Sequence, residues 1–253
     1  MEQRVLDQVT AGKTLQRARG VIDLRLDGGG LQRMFQSGSA KVILPKVQSA
    51  TPEAVLINTA GGMTAGDRFS YSLTVTENAG LTATTQAAER VYRGTQGAAE
   101  LDVTLAVADG ARLHWLPQET ILFDHSRMRR RLTARVGADS ELLIVEPVIF
   151  GRTAMGERLT TGHFTDMWRV YCDEKLIHAE ATRLDGDLTD MMQGKATASG
   201  AVAMATVLYV APDAEARLEQ ARSLLPVSDG VTAAASAWGG KLVLRFLADD
   251  AAA

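Results

Sequence analysis

Carboxylates and small residues carry most of the chemistry available to this chain of 253 residues. Asp67, Glu89, Glu119, Asp124, Glu146 and Glu157 are spread through its middle. The stretch INTAGGMTAGDRF, residues 57–69, places Asn58, Thr59, Gly61, Gly62, Thr64, Gly66 and Asp67 just after an apolar run. Glycines allow positive φ and close approach of another backbone or an ion, while the hydroxyls and Asp67 offer oxygen ligands or turn hydrogen bonds. The same residues suit a tight turn in which Asp67 caps the chain and pairs with Arg68, and the sequence leaves both readings open. Acids clustered along a β-stack are also the raw material of a hydrolase or lyase acting on polysaccharides. An aromatic content of 5% is thin for a sugar-stacking groove, and no Gly-x-Ser-x-Gly nucleophile elbow occurs.

Other chemistries fail on spacing. AGKT at 11–14 lacks the glycine six residues before the lysine and the preceding apolar strand that a phosphate loop needs. His114, His125, His163 and His178 form no i,i+2 or i,i+4 pair; His114 and His178 read as structural, whereas His125 follows Asp124 at a strand end, where the two could share an ion. The single Cys172 excludes an intramolecular disulfide and a cysteine-only metal cage. A net charge of −3 disfavours nucleic acid as the main partner. The charged N-terminus resembles no signal peptide, and no stretch of 18 uncharged apolar residues follows, so the expectation is a cytoplasmic protein without a membrane partner.

The elements that must position these groups are strands. From about residue 40 to 210 short β-branched and aromatic runs alternate with Gly, Asp, Asn and Pro, and in SYSLTV Tyr71, Leu73 and Val75 face one way while the serines and threonines face the other. Val75-x5-Leu81, Val107-x5-Leu113 and Val136-x5-Leu142 superpose three turns, each followed by a strand that ends in a polar residue: Gln86, Gln118 and Glu146. The expected fold is mainly β, a β-helix-like stack of sheets with one or two helices in the C-terminal part, forming a single domain over 1–253. An exposed apolar strand edge in such a stack would make the isolated protein poorly soluble. A helix is expected over APDAEARLEQARSLL, with Leu218, Ala221 and Leu225 on its buried face, and WGGKLVLRFLADDAAA gives a last strand and the opening of a second helix. In RMRRRLTARV, Arg127, Arg129, Arg131 and Arg135 share one face and Arg130 breaks the pattern; the face suits either a solvated edge strand or an acidic protein partner.

Four segments, NTAGGMTAGDRF, TTQAAERVYRG, LPQETILFD and EPVIFGRTAMGE, taken in order and spacing, resemble the signature blocks of the urease accessory protein D family, and the resemblance runs from about residue 15 to the end. It implies a non-enzymatic maturation factor with a β-helix-like fold. Such a factor binds the urease apoprotein and the accessory proteins F and G, G being the GTPase, and offers a path for nickel. On that reading no cofactor is tightly bound and Ni²⁺ is transient. Asp67, Glu89, Glu119, Asp124, His125 and Glu146 become candidates for the path. Asn58, Thr59, Gly61, Gly62, Gly66, Gln86, Arg93, Gln118, Gly151, Arg152 and Glu157 become partner-binding or structural positions, with Glu89 and Arg93 an ion pair if their segment is helical. A generic β-rich interaction module without a metal role is the alternative. Two departures stand out: His125 occupies a position where a small residue, commonly Gly, is expected, and the family's C-terminal helix and Pro-Arg-x-Trp-like tail are missing after LADDAAA.

Overall fold

The computed structural model describes residues 16–46, 51–76, 78–152 and 155–251. The AGKT segment lies outside these residues. Among the described residues seventeen strands and two short helices follow one another: β1 (Arg19–Asp27), β2 (Gly30–Gly38), β3 (Ala40–Ile43), β4 (Glu53–Asn58), β5 (Arg68–Val75), β6 (Gly80–Thr85), β7 (Glu89–Val91), β8 (Ala99–Val107), β9 (Arg112–Trp115), β10 (Thr120–Leu122), β11 (Arg127–Val136), β12 (Glu141–Phe150), β13 (Thr161–Cys172), β14 (Lys175–Asp187), α1 (Thr189–Gln193), β15 (Ala203–Val210), α2 (Leu218–Ser223), β16 (Val231–Trp238) and β17 (Lys241–Ala248).

The chain coils. One sheet of seven strands runs β14-β13-β11-β8-β5-β1-β2, and the main path of the other runs β16-β17-β15-β12-β9-β6-β4-β3. The middle strands of both are parallel, because each coil of chain crosses from one sheet to the other and returns one strand further along. Antiparallel hairpins close the two ends. The repeat legible in the sequence is the register itself: Val75 pairs with Val107 and Val107 with Val136, while Leu81 pairs with Leu113 and Leu113 with Leu142. These side chains point inward and are buried, so one apolar ladder fills the space between the sheets.

A third, narrow wall completes the coil. Met63 bridges to Val91, β7 pairs with β10, and β10 pairs with the far half of β12. Met63, Val91, Leu122 and Phe150 are all buried there. The four signature segments, distant in sequence, are therefore successive layers of one wall.

Several expectations change. The hairpin β1–β2 precedes the run of strands read from the sequence, although Ile22, Leu24 and Leu26 alternate as a half-buried strand should. The C-terminal helix is shorter than expected: a 3-10 turn at Glu215–Arg217 leads into α2, while Leu218, Ala221 and Leu225 do pack on a small core with Ala214, Ala235 and Leu242. Residues 249–251 form no helix. β11 is an interior strand between β8 and β13, not an edge, and Arg129 and Arg131 pair outward with Glu100 and Asp102 of β8.

Among the described residues β2 ends its sheet, with Leu31, Met34 and Phe35 exposed. This is the apolar edge anticipated above, and a charge on it opposes edge-to-edge pairing. Phe35→Lys should raise the concentration at which the purified chain stays monodisperse in light scattering, with the unfolding midpoint little changed; unchanged association would locate the sticky surface elsewhere.

Candidate functional site

The opening segment folds as a turn that feeds the third wall. Asp67 is buried and accepts the backbone N–H groups of Ala18 and Thr64, each at 2.8 Å, so both of its oxygens hold backbone. Arg68 pairs with Glu100 instead of Asp67. Thr59 Oγ1 donates to Ser39 O and Thr64 Oγ1 to Arg93 O, which spends those hydroxyls on neighbouring loops. At Gly62, with φ +142°, a Cβ would collide with the Tyr92 ring and come within 2.7 Å of Arg90 O, so only glycine lets the third wall close. Gly61 and Gly66 also take positive φ.

Asn58 turns inward. Its Nδ2 donates to both carboxylate oxygens of Glu89, at 3.0 and 3.2 Å, and its Oδ1 accepts from Ala60 N. Glu89 lies in strand β7, so the helical Glu89–Arg93 pair does not form, and Arg93 is exposed. Burial and, to a lesser degree, the charge of Asp67 push the Glu89 carboxyl from 4.5 up to about 7, against the Asn58 hydrogen bond. Asn58, Glu89, Gln86 and buried Tyr71 line a cavity of about 120 Å³. Burial, with a smaller contribution from Glu89, raises the Tyr71 hydroxyl well above the ordinary phenol range.

Further along the stack lies the residue that broke the arginine pattern. Arg130 sits on the inward face of β11 and is 2% exposed, with Glu146 at 3% and Asp166 at 5%. Its Nε and Nη2 donate to Asp166 at 3.0 and 2.6 Å, and Nη1 donates to Glu146 Oε2 at 2.5 Å and Thr120 Oγ1 at 3.2 Å. Indole N–H groups complete the cluster: Trp115 donates to Glu146 at 2.8 Å and Trp168 to Asp166 at 3.2 Å. Burial works to discharge Arg130, but Asp166 and then Glu146 outweigh it and hold the guanidinium charged. Burial raises the Glu146 carboxyl, opposed by Arg130 and reinforced by Asp166.

Glu180 is the next acid inward from β14. Arg245 Nη2 donates to it at 2.8 Å, and Thr206 Oγ1 approaches its other oxygen at 3.5 Å. His178 Nε2, buried, lies 3.3 Å from Glu180 Oε2 without forming a hydrogen bond. Burial works to raise the Glu180 carboxyl, yet His178 and Arg245 outweigh it and hold it below the ordinary range. Glu180, Thr206 and Arg245 reach the wall of a cavity of about 430 Å³ that Leu184, Met191, Met192, Met204 and Phe246 make largely apolar.

These groups are continuous. Glu89 pairs in register with Thr120, Thr120 touches Arg130, Arg130 holds Glu146 and Asp166, Glu146 pairs in register with Thr206, and Thr206 meets Glu180. An interior column of oxygen groups thus runs along the coil axis with a cavity at either end. The sequence named Glu89 and Glu146 in it and marked Arg130 only as a break in the arginine pattern; Thr120, Asp166, Thr206 and Glu180 escaped notice. Arg130, a cation at an inward position among apolar residues in alternation, was the one available signal.

The remaining candidates lie outside the column. Gln86 and Gln118 are exposed at the rim, so the three strand-ending residues do not line up. Glu119 borders an outer groove beside Pro147 and Val148. Asp124 accepts N–H groups from Thr160 and Thr161 and the Thr160 hydroxyl; burial opposes them, but together with His125 they hold its carboxyl below the ordinary range. His125 has φ +61°, the left-handed conformation that explains why a glycine is expected at this corner. Arg152 pairs with Glu157 and lies 4.5 Å over the Phe123 ring. Gly151, φ +90°, has no room for a Cβ, which would lie 2.5 Å from Glu157 O. Among the described residues no group of three or more His, Cys, Asp or Glu is arranged to hold a metal, and no helix is long and apolar enough to cross a membrane.

The family model described as UreD urease accessory protein matches residues 17–253. The chain belongs to the UreD family. It is 45% identical over 242 residues to urease accessory protein UreD of Rhodopseudomonas palustris strain HaA2, covering 93% of this chain and 85% of that protein. It is 44% identical over 246 residues to UreD of Rhizobium leguminosarum bv. viciae, covering 96% and 89%. UreD of Agrobacterium fabrum is 43% identical over 239 residues, covering 93% and 83%.

Removing the Glu89 charge tests the column's electrostatics. A carboxyl whose folded pKa lies near 7 and whose unfolded value is near 4.5 makes stability fall as pH rises between the two and then level off. Glu89→Gln should match the unsubstituted chain near the lower value and exceed it by about 3 kcal/mol above the higher one in urea titrations; equal pH profiles would place Glu89 in water.

Proposed function

We propose that the chain is a urease maturation factor that passes Ni²⁺ along its interior column toward the urease active site while bound to the urease apoprotein and to accessory proteins F and G. The observation that carries this reading is the column itself, with carboxylates and hydroxyls at successive layers and a cavity at each end. Oxygen groups offered one or two at a time bind a divalent cation weakly enough to release it again, which transit requires. The cation is cargo and GTP belongs to the partner, so the chain needs no turnover of its own. The Arg130 cluster supports that point: its two carboxylates are spent on a guanidinium and covered by indoles, which leaves neither free as an acid or base toward a bulky substrate. Assembly with these partners takes place in the cytoplasm.

The test uses cells that carry the urease structural genes and the other accessory genes but lack this one. Adding the gene back should restore urease nickel content and activity together; urease that is active without it would remove the maturation role. Glu89→Ala and Glu180→Ala should lower both while the protein still accumulates. Asp67→Asn should act through folding, costing about 2 kcal/mol because two buried backbone N–H groups lose a charged acceptor. Normal nickel content in the Glu89 and Glu180 variants would sink the path.

A further inference from the structure

We propose that Arg130 is an internal gate on the column, a guanidinium that closes the path by occupying the place a divalent cation would take between Glu146 and Asp166. The inference rests on reading the column as a cation path. Glu146 comes from β12 in one sheet and Asp166 from β13 in the other, so the guanidinium closes the full gap between sheets. Oxygen groups lie on both sides of it, Thr120 and Glu89 toward one cavity and Thr206 and Glu180 toward the other.

The chemistry sets the terms of opening. A guanidinium does not lose its proton in a protein, so deprotonation of Arg130 does not clear the way. Two carboxylates face one guanidinium, and a divalent ion at the same place would meet both. Carboxylate and hydroxyl oxygens suit such an ion. A cation therefore advances when the Arg130 side chain releases at least one carboxylate, and the flanking acids supply its next contacts. A fixed strut would look the same at rest but would gain nothing for nickel when removed.

Nickel uptake by the purified full chain separates the two, measured by equilibrium dialysis against Ni²⁺ near neutral pH. Arg130→Gln should take up an additional equivalent of nickel, its unfolding midpoint should rise further with Ni²⁺ than that of the unsubstituted chain, and adding Glu146→Gln should abolish both differences. If that variant fails to fold, Arg130→Lys keeps the charge but lacks the two-armed fork that holds both carboxylates, and should take up more nickel than the unsubstituted chain. Equal uptake by folded Arg130→Lys and the unsubstituted chain overturns the gate, as does extra nickel that persists after Glu146→Gln is added to Arg130→Gln. The path fails separately: if Glu89→Ala and Glu180→Ala leave urease nickel unchanged in cells, the column is not a path. If they lower it while the Arg130 variants gain no nickel, only the gate is lost.

Discussion

One buried guanidinium is the constraint around which the structure is arranged. Placing Arg130 between two sheets removes a full charge from water, a cost recovered only if its donors are met with good geometry. Asp166 takes it bidentately, Glu146 and Thr120 take the remaining arm, Trp115 donates to the other Glu146 oxygen, and Trp168 shares Asp166 Oδ2 with the guanidinium. Asp166, Glu146, Thr120 and Trp115 come from four different strands. The cluster therefore fixes the lateral register of β9, β10, β11, β12 and β13 at once, in a core where apolar ladders of Leu and Val would tolerate a slip more readily. Breaking such a pair leaves an uncompensated buried charge, typically costing about 3–5 kcal/mol, whereas a well-packed apolar replacement is often tolerated. Stability alone is thus a weak reason to keep it, which is why a functional reading of Arg130 has force.

The coil around it explains how distant segments become one site. Parallel stacking brings residues about one coil apart into register, so a residue type that recurs once per coil becomes a line along the axis. Inward positions on the two main sheets are mostly apolar, with Arg130, Glu146, Asp166, Glu180 and Thr206 among the polar exceptions in the later strands. In the first coils the polar inward residues lie beside the third wall, where short strands and corners with positive φ leave side chains such as Asn58 and Glu89 room to turn in. The ends of the column differ: one opens on a small polar cavity near Tyr71, the other on a larger cavity lined by methionines, whose flexible side chains suit an adaptable contact.

Much of the fold was legible because period-2 alternation and the Val-x5-Leu repeat report directly on inward side chains and on register. The hairpin β1–β2 escaped because β2 is exposed on both faces and carries no alternation. The helices escaped in part because both are only a turn or so long, too short for a helical period to show. The site was half legible. Glu89 and Glu146 could be named from their segments, but Asp166 and Glu180 lie in strands without any distinguishing motif, and only the three-dimensional coil brings them beside Arg130 and Thr206. Asp67 and Asp124 looked as chemically apt as Glu89, yet both Asp67 oxygens and Oδ1 of Asp124 are taken by backbone donors, which sequence spacing cannot reveal.

Membership of the UreD family and the interior column meet at one claim, that the axis of the coil carries nickel. Anomalous scattering at the nickel edge, from crystals of the full chain soaked in Ni²⁺, addresses it most directly. The account predicts peaks inside the coil beside Glu89 and beside Glu180, with none between Glu146 and Asp166 while Arg130 is in place. Nickel confined to exposed groups such as His125, with an empty axis, would contradict it.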